Sequence, residues 1–277
     1  MFDKATIPIF DCLTHPTVNG QWSLSTHCKS ANIDVLINQM YEANIKSAFA
    51  VGMKDVGGYN DDDFIKLIEA KGGKKLFPIA FFDFRYNCEL SVINHKLKLL
   101  KDQGFYGIKL HSRIGNFLLN DPLLPFIIDK ANEYGLIVLL CTYFYSNKQS
   151  PSINNVNKLG DLLLRISSES RLILLHGGGV RLLEMMEIVR AFPNTLMDLS
   201  FTICKYEGSS LDLDIEFMFK NFDKRICVGS DHPDMTQFQL RERFDFFSQN
   251  ITIEKAENIA FRNIENFFYK FLNNGIK

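Results

Sequence analysis

Eight short, nearly continuous apolar segments recur along this sequence at intervals of about 30 residues, the length of a strand–helix unit. They are rich in Ile, Leu, Val and Phe. Segments of this kind are typical of parallel strands that are covered on both faces of their sheet. The predicted strands occupy residues 7–11, 46–52, 76–82, 106–111, 136–141, 171–176, 195–200 and 225–231.

Segments with the apolar spacing of helices lie between the predicted strands. They cover residues 33–43, 64–70, 91–103, 123–134, 155–168, 180–192, 213–219 and 237–247. Asp61, Asp62 and Asp63 are expected to cap the second of these helices. The alternation predicts an α/β fold, a single (β/α)8 TIM barrel domain over residues 1–277 with an extra C-terminal helix within 253–272.

An open, doubly wound sheet is the alternative architecture for alternating strands and helices. Such a sheet carries a glycine fingerprint directly after its first strand, where it binds a dinucleotide. The corresponding residues 15–22 read HPTVNGQW, which does not match that fingerprint. The closed barrel is therefore the favoured prediction.

Charge and composition restrict the partners of this chain. Its 31 Lys and Arg residues balance 32 Asp and Glu residues without a basic cluster, so no nucleic-acid partner is expected. A basic and apolar leader is missing, as is any run of about 18 apolar residues, which predicts a cytoplasmic protein with no membrane partner. Six single cysteines without a CxxC pair fit reduced thiols. Tail aromatics suggest either packing on the barrel or an exposed homodimer face (Phe267, Phe268, Tyr269 and Phe271).

Polar residues cluster at the predicted C-terminal ends of the strands, which meet at one mouth of a parallel barrel. Four of the six histidines lie at or beside these ends, together with acidic and basic side chains. The sequence therefore predicts an active site for a small-molecule substrate at this mouth. The strand-end set comprises His15, Arg85, Lys109, His111, Arg113, Cys141, Tyr143, His176, Asp231 and His232.

Several segments, in order, resemble the amidohydrolase-related (amidohydrolase 2-like) family. They are FDCLTHPTVNG (10–20), GIKLHSR (107–113), LHGGGVRLLEMMEIVRAFPNTLMDLS (175–200) and CVGSDHP (227–233), followed by ENIAFRNIENFF (257–268). The resemblance covers nearly the whole chain. It implies a (β/α)8 barrel and an activity similar to that of metal-dependent hydrolases and aminocarboxymuconate-semialdehyde decarboxylase-like enzymes.

The same resemblance implies roles for single residues. The family pattern has two histidines on the first strand, a metal-binding histidine on the fifth, a catalytic histidine on the sixth and an aspartate on the eighth. His15, His176 and Asp231 match their positions in this chain, whereas Leu13 and Cys141 replace two expected nitrogen ligands. The metal site of the family is therefore altered here.

The remaining residues leave three hypotheses open. In the first, His15, Cys141 and Asp231 hold a divalent metal, most simply zinc, that activates water, and His176 acts as the acid/base. In the second, metal-free hypothesis, Asp231 activates the water itself. In both, Lys109, His111, Arg113, Arg85 and Tyr143 contact a polar or carboxylate-bearing substrate, an amide or a lactone, because cationic groups pair with carboxylates. In the third, the barrel has lost catalysis and only binds a ligand or partner.

The same scaffold also leaves decarboxylation open as an alternative to hydrolysis. Single residues have ordinary structural interpretations beside the functional ones. Cys141 could be a buried apolar residue, Asp231 could cap the following helix, and Asp83 could neutralise Arg85. The run Gly177–Gly179 could serve only as a tight turn between strand and helix.

Overall fold

Eight parallel strands form one sheet in strict sequence order in the computed structural model, which describes residues 7–85, 89–145 and 153–274. The strands are β1 (Ile9–Thr14), β2 (Ile45–Val51), β3 (Leu76–Phe81), β4 (Gly107–Leu110), β5 (Ile137–Cys141), β6 (Leu172–Leu175), β7 (Thr195–Asp198) and β8 (Ile226–Cys227). The last strand returns to the first, since the Cys12 N–H donates to Val228 O at 3.0 Å and Thr14 bridges to His232. The sheet is thus a nearly closed barrel, and the predicted TIM-barrel fold is confirmed.

Helices connect the strands and cover the outside of the barrel. They are α1 (Ile33–Glu42), α2 (Asp61–Lys71), α3 (Leu90–Asp102), α4 (Ser112–Gly115), α5 (Leu123–Glu133), α6 (Val156–Leu163), α7 (Leu182–Ala191), α8 (Thr202–Lys205), α9 (Leu211–Asn221), α10 (Gln237–Ser248), α11 (Ile253–Glu257) and α12 (Asn263–Asn274). None of the helices within the described residues is both long and apolar enough to cross a membrane.

Asparagine and threonine side chains fix where several helices begin. Asn32 and Thr236 accept hydrogen bonds from backbone N–H groups at the starts of α1 and α10. The cap of α2 is Asn60, whose side chain accepts from the Asp63 N–H at 2.9 Å. The expectation that Asp61, Asp62 and Asp63 cap this helix is therefore wrong. They fill its first turn, where carboxylates are stabilised by the helix dipole.

The inside of the barrel is filled by side chains from the strands and from the last helix. Phe10, Phe49, Leu139 and Ile173 are fully buried there. Phe268 of α12 packs edge-on against Phe49, with ring centroids 5.3 Å apart, and is also fully buried. The tail aromatics therefore pack on the barrel at Phe268, which is not part of an exposed face. Tyr269 remains 43% exposed, and the side chain of Phe271 lies outside the described residues.

Two single-turn helices were not predicted from the sequence. α4 follows β4 and α8 follows β7, so both lie at the mouth that receives the strand ends. The predicted eighth strand, 225–231, is regular only over Ile226–Cys227. Beyond it the backbone turns, and Asp231 has a φ of 67°. The two short helices and the turn after β8 therefore differ from the prediction at the end of the barrel that carries the site.

Candidate active site

A cavity of about 250 Å³ opens at the C-terminal ends of the strands. Residues from the ends of β1, β4, β5, β6 and β8 supply its polar lining, as the geometry of a parallel barrel requires. The lining residues are His15, Trp22, Leu24, Met53, Lys109, His111, Arg113, Ile114, Tyr143, His176, Phe201, Asp231 and Asp234.

His15 links three strand ends through its imidazole ring. Its Nδ1 lies 2.8 Å from Val51 O, and because a carbonyl only accepts hydrogen bonds, Nδ1 carries the proton. In the neutral ring Nε2 then carries a lone pair. This atom lies 3.1 Å from the Lys109 ammonium nitrogen and 3.3 Å from Asp231 Oδ1. The indole of Trp22 stacks on the ring, with centroids 5.6 Å apart.

Burial and the charges of neighbouring side chains set the pKa values of His15, Asp231 and Lys109. Burial lowers the pKa of His15, and the positive charge of Lys109 lowers it further. Burial alone would raise the pKa of Asp231, but the contact with His15 and the charges of His176, His15 and Lys109 outweigh it and lower the pKa. Asp231 is therefore a carboxylate in contact with His15, and the pKa of the Lys109 ammonium beside them is lowered by burial.

A second buried group centres on Cys141. The imidazoles of His111 and His176 lie near its sulfur, and Nη2 of Arg113 donates to the sulfur at 4.0 Å. Burial would raise the pKa of Cys141, but the charges and hydrogen bonds of His111 and His176 lower it well below its ordinary value. The pKa of His176 is lowered by burial and raised by more through Cys141 and Asp231. Cys141 and His176 thus favour a thiolate–imidazolium pair, in which His176 lines the cavity and Cys141 is buried behind it.

The opposite side of the His176 ring is held from β7. Nδ1 of His176 lies 3.2 Å from both the carbonyl oxygen and the hydroxyl of Ser200. The Ser200 hydroxyl in turn donates to the carboxylate of Asp198. Since the Ser200 carbonyl can only accept, His176 donates from Nδ1, and its Nε2 faces the cavity side.

Three residues of the site have strained backbone conformations. His176, Phe201 and Asp231 have φ values of 69°, 63° and 67°, in the left-handed region that side chains other than Gly rarely adopt. Such conformations cost roughly 1–3 kcal/mol each and cluster at functional sites. All three residues line the cavity. The surrounding packing therefore stabilises a backbone that directs these side chains inward.

The metal-binding set expected from the sequence is not brought together. His15 and Asp231 are in contact, but Cys141 belongs to the group of His111 and His176. Leu13 lies in the barrel interior and offers no donor atom. Moreover, the Lys109 ammonium lies within hydrogen-bond distance of the one free nitrogen of His15. These residues therefore do not fit a metal ion held by His15, Cys141 and Asp231.

The other residues predicted for the site have mixed outcomes. Lys109, His111, Arg113 and Tyr143 line the cavity. Nε of Arg113 is buried without a hydrogen-bond partner among the described residues, and Nη2 of the same guanidinium contacts Cys141. Arg85 is not among the residues that line the cavity, and its guanidinium donates to Asp83 at 3.1 and 2.9 Å.

Three residues in or next to the site were not predicted from the sequence. Trp22 is the only tryptophan of the chain and follows His15 by seven positions, and its indole N–H donates to Asp234 at 3.0 Å. That Trp22 is the single tryptophan was the one feature of the sequence that could have indicated a role for it. Asp198 and Ser200 lay within the motif TLMDLS, but no pattern indicated that their side chains reach His176. Asp231 is not a helix cap, because α10 is capped by Thr236.

Solved structures share this architecture over nearly the whole chain. An uncharacterized TIM-barrel protein from Bordetella bronchiseptica aligns with a TM-score of 0.78 at 15% identity, covering 95% of this chain and 99% of that one. A probable 2-pyrone-4,6-dicarboxylic acid hydrolase from Acinetobacter baumannii, with citric acid bound, aligns with 0.67 at 17% identity, covering 94% and 99%. A 5-carboxyvanillate decarboxylase from Sphingomonas paucimobilis aligns with 0.61 at 10% identity, covering 95% and 99%.

These neighbours include members of the amidohydrolase-related family that the sequence motifs resemble. At 10–17% identity the likeness shows the shared fold. No protein-family model matches the chain, and comparison with curated proteins gives no significant match. What this barrel does is therefore argued from its own site.

Proposed function

We propose that this chain is a hydrolase that uses no metal in its cavity and opens a small ester or lactone bearing a carboxylate. The contact of the Lys109 ammonium with His15 Nε2, beside Asp231, carries this proposal. It gives the cavity a base and a fixed cation next to each other.

Substrate binding follows from the charges of the lining. Lys109, Arg113 and the imidazolium of His176 converge on a cavity of about 250 Å³, a volume suited to a small molecule. The guanidinium of Arg113, which lines the cavity, provides a cation for a substrate carboxylate. The rings of Tyr143 and Trp22 form walls for an unsaturated or ring-shaped substrate.

The chemistry uses Asp231 as the base. Water attacks the substrate carbonyl carbon, and its proton passes to the Asp231 carboxylate. Lys109 and His176 stabilise the negative charge that develops on the carbonyl oxygen. The bond from the carbonyl carbon to the ring or ester oxygen then breaks, and the proton is returned to that leaving oxygen. The neighbours that lower the pKa of Asp231 keep it ionised before the attack, although they weaken it as a base, and they make the protonated residue a good donor to the leaving oxygen.

The cations of the proposed site are the Lys109 ammonium and the His176 imidazolium, which favours an ester or lactone over an amide as the substrate. Ammonium and imidazolium groups polarise a carbonyl less strongly than a divalent cation does, and an alkoxide or enolate leaves more easily than an amide nitrogen. A lactone is also the substrate class named for one structural neighbour, the 2-pyrone-4,6-dicarboxylic acid hydrolase.

A panel of lactones with and without a ring carboxylate tests the proposal. We expect ring opening of carboxylated lactones at a rate that is unchanged after prolonged chelation. Asp231→Asn should reduce turnover by at least about 10²-fold, as for loss of a general base. Asp83→Asn, a carboxylate at the same end that pairs with Arg85 outside the cavity, is the matched control.

Three results would contradict this function. Loss of turnover on chelation, together with a bound divalent cation that is retained by the wild type and lost with His15→Ala, would show that the cavity is metal-dependent. Release of CO2 from an aromatic or β-keto acid, without ring opening of any lactone, would favour decarboxylation. Tight binding of carboxylated lactones without turnover would indicate a barrel that only binds its ligand.

A further inference from the structure

A group of metal-binding residues lies inside the barrel and outside the cavity lining. Cys12 on β1, Asp198 on β7 and Cys227 on β8 come from three adjacent strands, and their side chains are fully buried. One donor atom from each lies within 4.8 Å of the others. Among the residues that the structure describes, no other set of three His, Cys, Asp or Glu side chains meets this condition.

The donor atoms of this group are poorly engaged by the protein. Sγ of Cys12 lies 3.9 Å from Phe10 O, and Sγ of Cys227 lies 3.7 Å from Met197 O, which are weak contacts for a thiol. Oδ2 of Asp198 accepts from Ser200, but Oδ1 has no hydrogen-bond partner in the described part of the chain. A carboxylate oxygen buried without a partner is costly, and a bound cation is one of the few ways to satisfy it.

We propose that Cys12, Asp198 and Cys227 bind a zinc ion within the barrel, directly beneath the active-site cavity. Two sulfur donors favour zinc over magnesium or calcium, which prefer oxygen ligands only. Three protein ligands leave one position of a tetrahedral site for a small ligand such as water. This site is separate from the predicted set His15, Cys141 and Asp231, and it does not depend on the proposed hydrolase activity.

The proposed zinc site carries a net charge and is connected by hydrogen bonds to His176 in the cavity lining. Binding of Zn²⁺ displaces the protons of both thiols and leaves two thiolates and one carboxylate, so the site carries one net negative charge. His176 contacts Ser200, and the Ser200 hydroxyl donates to Asp198. Asp198 is thus shared between the zinc site and the hydrogen bonds that orient His176.

Metal content and cobalt spectroscopy test this site without a substrate. The site is buried, so the full chain is produced in medium supplemented with Zn²⁺ or with Co²⁺ and then dialysed against metal-free buffer. We expect one metal ion per chain and, for cobalt, a thiolate-to-metal charge-transfer band with the intensity of two sulfur ligands. Cys12→Ser and Cys227→Ser should each lower the zinc affinity by more than about tenfold and halve the band.

Control variants separate this site from others. Asp198→Asn keeps the side-chain shape and should also lower the affinity, whereas Cys28→Ser, at a half-exposed thiol, should not. His15→Ala removes the cavity nitrogen and should leave the interior metal in place. The proposal is overturned if the wild type emerges without bound metal, or if its cobalt spectrum lacks the sulfur band. Metal lost with His15→Ala and retained in Cys12→Ser would place the ion in the cavity instead.

Discussion

At the scale of single residues, the contact between Lys109 and His15 sets the charges of the cavity. Lys109→Met removes a positive charge 3.1 Å from His15 Nε2, and that charge lowers the pKa of His15. We therefore expect the His15 pKa to rise in the variant, as measured by NMR titration of the imidazole resonances. Lys101→Met is the control, because this partly buried lysine contacts Gly135 O elsewhere. An unchanged or lower His15 pKa in Lys109→Met would contradict the electrostatic role of this lysine.

His232 gives a second residue-scale prediction, in the pH dependence of stability. Burial lowers its pKa from 6.5 to about 4. Between these values the unfolded chain binds a proton that the folded chain does not, so the folded state loses stability as the pH falls from 6.5 to 4. The loss attributable to this residue is at most about 3 kcal/mol.

Urea unfolding of wild type and His232→Gln between these pH values measures that contribution. Only the difference between the two proteins is informative, because the raised pKa values of Asp11 (about 6) and Asp198 (about 7) act in the opposite direction. The stability of wild type relative to the variant should fall with falling pH. A difference that does not vary with pH would show that His232 titrates normally in the folded chain.

At the scale of elements, the turn from β6 into α7 shows how sequence and packing combine. The run Gly177–Gly179 adopts positive φ throughout, as its composition predicts. A Cβ on Gly178 would lie 2.4 Å from Cγ of Met185 in α7. The turn therefore needs glycine both for its backbone conformation and for the close approach of α7, and this turn positions His176.

Gly178→Ala tests this requirement. The substitution should lower the free energy of unfolding by about 2–4 kcal/mol, from backbone strain together with overpacking. Gly73→Ala is the matched control, since Gly73 also has a positive φ of 55° but a Cβ added there would meet no atom within 4 Å. It should cost about 1 kcal/mol from strain alone. Equal losses in urea unfolding would contradict the packing argument.

At the scale of the whole molecule, α12 closes the barrel from the end opposite the cavity. Ile264 and Phe268 of this helix pack among interior side chains of the strands. Phe268→Ala should lower the free energy of unfolding by about 3–5 kcal/mol, since it leaves a cavity in the core. Phe246→Ala, on a side chain that is 53% exposed, should cost less than about 1 kcal/mol. Comparable losses for the two in thermal or urea unfolding would show that α12 is peripheral.

The fold was largely predictable because strand and helix periods are local properties. All eight predicted strands overlap the observed ones, and the helix boundaries of α1, α5 and α10 differ by about one residue. The single-turn helices α4 and α8 were missed, since four residues carry too little periodicity. Phe268 was ambiguous in the sequence, because only the placement of α12 decides whether its apolar face is buried.

The barrel and the set of polar residues at its mouth could be predicted from local sequence patterns, because parallel strands bring all their C-terminal ends together. Which of these residues contact each other was decided by the tertiary structure. Lys109 and His15 are 94 positions apart, and only the curvature of the sheet places the ammonium at the imidazole nitrogen. In the same way Cys141 pairs with His111 and His176, not with His15. Contacts across a barrel depend on strand tilt and side-chain rotamers, and neither is encoded in local sequence patterns.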